Sequence, residues 1–209
     1  MLDRSETAPD TDPESSLRDF PTGEVVFLMT DIEGSTRLWD RAPKEMRRAL
    51  ECHDDIIDSA IDDAGGYVFC RAGDSFAAAF TTAEAALHAA AKSQRLLAAQ
   101  QWPGGLELRV RMAIHVGEAD ERDGNYFGPC LNRCSRLLGV CDGGMIAMSE
   151  MVRERIGAHI ASILDLTDLG LRGLRDLEEP EHVWYFSAGA PESPDLCAGE
   201  ARDSLIHAM

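Results

Sequence analysis

The 209-residue sequence lacks several features that define common protein classes. Its apolar runs are short and strand-like, as at residues 25–29, far below the ~18–20 residues that a membrane span needs. It has no Cys-x-x-Cys pair and no histidine at zinc-finger spacing, which argues against a structural zinc site. The polar, acidic start, MLDRSETAPDTDPESS, contains no apolar core of a signal peptide. We therefore expect a cytoplasmic protein whose six cysteines are reduced thiols.

Positive charge is also scarce, because 20 Lys and Arg residues stand against 37 Asp and Glu residues, for a formal net charge of −17. So acidic a chain repels nucleic-acid polymers and anionic membrane surfaces, and we expect neither as a partner. An anionic small molecule would have to be bound through a metal ion or through local cations.

The composition otherwise suits one globular domain, with 44% hydrophobic and 27% charged residues. Residues 1–22 carry a charge of −4 and are predicted to be a disordered acidic segment. Residues 187–209 carry −3 and are predicted to be a flexible tail, which leaves −10 on the body, residues 23–186.

Strand and helix patterns succeed one another along the body. Strands are predicted at 24–30, 67–72, 75–80, 106–116, 145–148, 163–169 and 182–186. Helices are predicted at 37–41, 43–64, 82–100, 128–140 and 149–156, with Ser35 or Thr36, Thr82 and Ser149 as N-caps. This order predicts an α+β fold with a ferredoxin-like antiparallel sheet flanked by helices.

Two acidic residues occupy positions that suit a metal ion. Asp31 ends a buried strand and Asp74 lies at the tip of a hairpin, so their carboxylates converge if the strands are neighbours. Backbone N–H groups for phosphates are offered by the loop that follows, which consists of Glu33, Gly34, Ser35 and Thr36. The alternative is structural: a helix cap at Asp31 and a turn residue at Asp74.

The predicted helix 128–140 has two distinct faces. At ~100° per residue, Cys130, Cys134 and Leu137 share one arc and are predicted core residues. Asn132 and Arg136 lie together on the opposite face and offer an amide and a guanidinium to phosphoryl oxygens. A solvated polar face explains the same spacing, so both interpretations stay open.

Four segments in order resemble the motifs of one family: TDIEGSTRLW, AGDSFAAAF, IHVGEA and NYFGPCLNRCSRL. They are similar to the class III adenylyl/guanylyl cyclase catalytic domain, in the bacterial branch whose first strand reads F-x-x-T-D-I-E-G-S-T. The resemblance runs through about residues 24–186. It implies the class III cyclase architecture and a dimer with composite sites, either a homodimer or a heterodimer with another cyclase chain.

The resemblance also implies roles for individual residues. Asp31 and Asp74 match the metal-binding aspartates, with the Ile32 carbonyl beside two divalent cations, Mg²⁺ or Mn²⁺. Asn132 and Arg136 match the pair that orients the ribose and stabilises the pentavalent phosphorus, supplied by the other subunit. In this chemistry the ribose 3′-hydroxyl of ATP attacks the α-phosphorus and pyrophosphate leaves, a two-metal in-line displacement.

A third cation is implied less directly by the resemblance. Arg175 lies near the place of the family's triphosphate-binding lysine, and Arg172 is a rival for that role.

Base recognition is where the sequence departs from the family. Adenylyl cyclases have Lys and Asp where this chain has Cys70 and Asn125, and guanylyl cyclases have Glu and Cys there. Losing one hydrogen bond costs roughly 0.5–1.5 kcal/mol, so we expect a weak adenylyl cyclase. The alternatives are a degenerate nucleotide-binding or regulatory domain that acts through a partner chain, and a guanylyl cyclase acting on GTP.

Overall fold

The computed structural model of the protein describes residues 20–188. The predicted acidic segment 1–22 and the predicted tail 187–209 therefore lie almost entirely outside the described residues. The first described residues, Phe20 and Pro21, pack against the rest of the domain. The Phe20 ring lies 4.8 Å from that of Tyr67, and the Pro21 carbonyl accepts a hydrogen bond of 2.8 Å from Tyr126.

The described chain forms one main sheet and six α-helices. The strands are β1 (Glu24–Ile32), β2 (Tyr67–Ala72), β3 (Ser75–Phe80), β4 (Val110–Glu118), β5 (Asp120–Arg122), β6 (Asn125–Phe127), β7 (Ile146–Ser149), β8 (Thr167–Arg172) and β9 (Glu181–Phe186). The helices are α1 (Ser35–Arg41), α2 (Pro43–Asp63), α3 (Ala83–Ala99), α4 (Pro129–Gly139), α5 (Glu150–Arg155) and α6 (Gly157–Ile163). None of these helices combines the length and apolar character that crossing a bilayer requires.

The sheet confirms the predicted α+β class. Its strand order is β2-β3-β1-β4-β7-β9-β8, and β5 and β6 form a separate hairpin. Every neighbouring pair is antiparallel except β4 and β7, which run parallel. Helices cover both faces, so β1 lies in the interior and reads as a continuous apolar run.

The pleat of β1 divides its side chains between two cores. Val26 and Leu28 belong to the core beneath α2 and α3, whereas Val25 and Phe27 belong to the core beneath α4. Successive side chains alternate between the faces of a sheet, so Asp31 lies on the α4 face with Phe27. The end of β1 that carries Asp31 therefore lies on the same side of the sheet as α4.

Two predicted strands begin later than expected. The strand predicted at 106–116 begins at Val110, because its ladder partner β1 ends opposite it at Ile32. Of the strand predicted at 163–169, residue 163 is the last residue of α6, and β8 begins only at Thr167, opposite Tyr185. Short apolar runs do not distinguish strand from helix by periodicity alone.

The helix caps were predicted with mixed success. Thr82 is confirmed as the N-cap of α3, since its hydroxyl accepts a 3.2 Å hydrogen bond from Ala85 N–H. Ser149 precedes α5 without a side-chain cap, because its hydroxyl lies 2.9 Å from His115 Nδ1. The cap of α1 is Gly34, not Ser35 or Thr36, since its φ of 67° makes a left-handed turn that favours glycine.

Candidate active site

Asp31 and Asp74 come together at one end of the central strands. β1 pairs with β3 up to Thr30 opposite Phe76, so the hairpin tip before β3 lies beside the end of β1. The Asp74 carboxylate accepts a 3.0 Å hydrogen bond from the N–H of Ile32. The hairpin therefore holds one predicted carboxylate against the peptide that carries the other.

The Asp31 carboxylate is bound by an arginine that the sequence analysis did not identify. Arg111 lies directly opposite Asp31 in the ladder between β1 and β4. Its Nε and Nη2 donate hydrogen bonds of 2.7 and 2.5 Å to the two carboxylate oxygens. The hydrogen bonds with Asp31 raise the pKa of Arg111. The only sign of Arg111 in the sequence is a cationic residue within a strand of alternating pattern. Its pairing with Asp31 depends on the register of the two strands, which the sequence does not reveal.

These residues fit a hard divalent cation held jointly with a substrate. No group of three or more His, Cys, Asp or Glu side chains suited to a metal occurs within residues 20–188. Mg²⁺ takes one or two carboxylates together with water and phosphate oxygens, so Asp31, Asp74 and the Ile32 carbonyl make a suitable donor set.

The predicted phosphate loop forms a tight turn between β1 and α1. The Glu33 N–H donates to the Arg109 carbonyl at 2.8 Å, so this N–H is used within the fold, contrary to the predicted role in phosphate binding. Ser35 and Thr36 begin α1, where the first N–H groups have no partner within the helix. At Gly34 an added Cβ would lie 2.7 Å from Arg37 Nη2, so a guanidinium covers the turn.

The two faces of α4 are confirmed. Cys130, Cys134 and Leu137 are buried, and the Cys134 thiol donates to the Ala113 carbonyl of β4 at 3.4 Å. Burial raises the pKa of the Cys134 thiol, as expected of a core residue. On the other face Asn132 is exposed.

Arg136 and Arg175 meet at a single carboxylate. Arg136 Nη2 lies 2.9 Å from Asp176 Oδ2, and Arg175 Nε lies 3.1 Å from the same oxygen. Asp176 has a φ of 61°, unusual for a residue other than glycine. Arg172, the rival of Arg175, instead lies in β8 opposite Glu181. Asp176 was not identified from the sequence, where it appears only as an acid next to Arg175.

The candidate site therefore consists of two separate groups in one chain. We call Asp31, Ile32 and Asp74 the acidic half-site, and Asn132, Arg136 and Arg175 the basic half-site. Within the described part of the chain, no hydrogen bond or ion pair joins the two half-sites.

Cys70 lies on the same face of the sheet as Asp31. A β-bulge between Val68 and Cys70 puts Cys70 opposite Ala77. The next residue, Arg71, points to the other face, where its guanidinium lies 5.0 Å from the Phe76 ring centroid and pairs with Asp58. Arg71 therefore does not share the face on which Cys70 and Asp31 lie.

Asn125, the second predicted base-recognition residue, lies on the neighbouring hairpin. Its Oδ1 accepts a 2.8 Å hydrogen bond from the Tyr126 N–H. The Tyr126 ring packs 5.0 Å from Phe69, and Tyr67 donates a 3.0 Å hydrogen bond to the Gly124 carbonyl. The hairpin that carries Asn125 is therefore docked beside β2, which carries Cys70.

Comparison with known proteins gives consistent matches. Residues 18–179 match the model of the adenylate and guanylate cyclase catalytic domain. An uncharacterized protein of Mycobacterium tuberculosis is 37% identical over 165 residues, which cover 78% of this chain and 55% of that protein. The adenylate cyclase of Schizosaccharomyces pombe is 33% identical over 173 residues, covering 71% of this chain and 10% of that protein. The chain thus spans about half the length of the mycobacterial relative.

A solved structure matches over most of the chain. It belongs to the adenylate cyclases of Trypanosoma brucei in their monomeric state, with a TM-score of 0.76 and 26% identity. The match covers 88% of this chain and 97% of that one. The architecture is therefore that of the class III cyclases.

Proposed function

The chain belongs to the family of adenylate and guanylate cyclase catalytic domains, and we propose that it converts ATP to 3′,5′-cyclic AMP and pyrophosphate. The observation that carries the proposal is the hydrogen bond of 3.0 Å between Asp74 and the Ile32 N–H, which keeps two carboxylates at one edge. Asp31, Asp74 and the Ile32 carbonyl would hold two Mg²⁺ or Mn²⁺ ions, which would lower the pKa of the ribose 3′-hydroxyl and offset the negative charge on the α-phosphate.

The basic half-site supplies the positive charge that the acidic chain otherwise lacks. Asn132 orients the ribose, and Arg136 stabilises the negative charge that develops around the α-phosphorus. Arg175 binds the triphosphate. The meeting of Arg136 and Arg175 at Asp176 supports this assignment, because one anionic group already contacts both guanidinia.

The two half-sites act on one nucleotide when each is completed by a second chain. This is supported by the exposure of Asn132 and by the lack of any hydrogen bond or ion pair between the half-sites within residues 20–188. The partner is a second copy of the chain, or another cyclase chain in a heterodimer. Gly34, Ser35 and Thr36 contact the phosphates through the backbone at the start of α1.

The residues at the base-recognition positions do not select clearly between adenine and guanine. GTP is therefore the second candidate substrate. The Asn125 amide oxygen already accepts from the Tyr126 N–H, so its NH₂ group remains as a donor suited to a guanine carbonyl. The exposed Cys70 thiol is a weak hydrogen-bonding group for either base. Because of Cys70, a nucleotide-binding domain that regulates another cyclase chain is the third candidate.

A direct assay tests the proposal. Purified protein is incubated with ATP or GTP and Mn²⁺ or Mg²⁺, and the cyclic nucleotides are separated and quantified by mass spectrometry. Cyclic AMP formation that disappears in Asp74→Ala supports the proposed activity. Cyclic GTP alone would assign the second candidate. If the protein binds ATP measurably but forms no cyclic nucleotide above the Asp74→Ala background, the third candidate, a regulatory domain, would be assigned instead of an enzyme.

A further inference from the structure

The guanidinium of Arg111 is hydrogen-bonded to the carboxylate of Asp31, which the proposed function assigns to a metal ion. We propose that Arg111 is a positioning residue that holds Asp31 in the metal-free chain and competes with the metal for it. The inference rests on the proposed function, because it takes Asp31 as a metal ligand.

The geometry of the pair is the first support. Arg111 contacts both oxygens of Asp31, at 2.7 and 2.5 Å, in the forked arrangement that suits a guanidinium and a carboxylate. The side chains are only 27% and 22% exposed, respectively. The two residues face each other in the β1–β4 ladder, so the backbone itself aligns them.

Other cations nearby do not share this role. Arg109, two residues earlier, donates a 2.6 Å hydrogen bond to the Gly143 carbonyl and lies 3.9 Å from Glu33. Among the residues that the structure describes, Arg111 is the one cation that contacts Asp31. The Cys141 thiol near Arg111 is buried, which raises its pKa to about 11 and keeps it neutral.

Competition follows from the charges. Without a metal, the negative charge of Asp31 is offset by the guanidinium of Arg111, which contacts both of its oxygens. A divalent cation needs lone pairs on the same oxygens, and it is repelled by the adjacent guanidinium. Removing the charge of Arg111 should therefore strengthen metal binding while the orientation of Asp31 becomes looser.

Binding of Mn²⁺ alone tests this without a turnover assay. Free Mn²⁺ is measured by electron paramagnetic resonance during titration of the wild type, Arg111→Met and Arg109→Met. We expect about tenfold tighter binding by Arg111→Met, from the loss of hydrogen bonds between charged groups. Arg109→Met removes the same charge two positions away and should change the affinity less than about twofold. Unchanged or weaker binding by a folded Arg111→Met variant would overturn the proposal.

A second measurement uses the wild-type protein, in case Arg111→Met does not fold. The Nε–H resonance of Arg111 is identified by its loss from the spectrum of Arg111→Lys and is followed during Mg²⁺ titration. The proposal predicts that this resonance moves as Mg²⁺ binds, and a resonance that stays in place at saturation would refute it.

These results also separate the inference from the proposed function. Wild-type protein that binds no more Mn²⁺ than Asp31→Ala would overturn the metal site and with it the competition. Wild-type protein that binds Mn²⁺ through Asp31, with no tightening in folded Arg111→Met, would overturn the competition alone.

Discussion

The acidic and basic half-sites are held by the chain in different ways. Asp31 lies on a central strand, is 22% exposed, and is bound at both oxygens by an arginine across the ladder. Arg175 lies on a loop before β9 and is 82% exposed, and it meets Arg136 only through the exposed Asp176. The sheet of a single chain thus fixes the acidic half-site, whereas the basic half-site faces outward from a helix surface and a loop.

The two ion pairs are expected to contribute differently to the stability of the fold. The Asp31–Arg111 pair is partly buried, so losing one partner leaves the other poorly solvated. The Arg136–Asp176 pair is exposed, and exposed ion pairs contribute roughly 0–1 kcal/mol. The Asp31–Arg111 pair should therefore contribute more to the stability of the fold than the Arg136–Asp176 pair.

The largest expected effect is the loss of either carboxylate. Asp31→Ala and Asp74→Ala should each lower the rate of cyclic nucleotide formation by about 10³-fold or more, because each removes a proposed metal ligand. The measurement is a fixed-time assay with Mn²⁺, with circular dichroism to establish that each variant is folded. Activity within tenfold of wild type in either folded variant would show that the acidic half-site does not bind the essential metals.

Arg136→Ala should have the next largest effect. Removing one group that stabilises transition-state charge typically costs about 10²–10³ in kcat, so a loss of this size is expected with little change in KM. Arg133→Ala is the matched control on the same helix, because Arg133 is paired with Glu181 at 2.9 Å and has no proposed catalytic role. Equal losses in the two variants would mean that α4 acts only through its packing.

Unfolding measurements compare the half-sites directly. Asp31→Ala should lower the free energy of unfolding by about 1–3 kcal/mol, because the partly buried Arg111 loses a charged hydrogen-bond partner. Asp176→Asn should change it by less than about 0.5 kcal/mol, as expected for an exposed pair. Urea titrations of both variants at pH 7 provide the values, and a larger loss in Asp176→Asn would reverse our comparison of the half-sites.

The smallest effect is expected at the base pocket. Cys70→Lys introduces an ammonium donor on the face of the sheet that carries Asp31, and it should improve kcat/KM for ATP by about tenfold at most. Arg71→Lys is the control, because Arg71 lies on the opposite face, where it pairs with Asp58. No gain in Cys70→Lys would mean that position 70 does not contact the base.

The acidic half-site was more predictable than its surroundings. Asp31 and Asp74 follow from a buried strand and a two-residue hairpin, both local patterns that set where a side chain lies. The two faces of α4 follow from helical periodicity for the same reason. Arg111 and Asp176 were missed because their partners depend on strand register and on loop conformation. Neither can be inferred from residues close by in the sequence.

The shifted strands have a similar explanation. The strand β4 begins at Val110 because β1 ends at Ile32, a pairing limit that Leu108 and its apolar neighbours do not reveal. The N-cap of α1 was also not predictable from the type of residue alone. The chain turns into α1 through the positive φ of Gly34, without a hydrogen bond from a nearby hydroxyl.

Mixing two inactive variants shows whether two chains complete one site. Asp31→Ala lacks the acidic half-site and Arg136→Ala lacks the basic one, so a mixed dimer has one intact composite site. After the chains are allowed to exchange, roughly a quarter of wild-type activity should return, since half of the dimers are mixed and each has one intact site of two. If the mixture stays as inactive as its components although mixed dimers form, two chains do not complete one site.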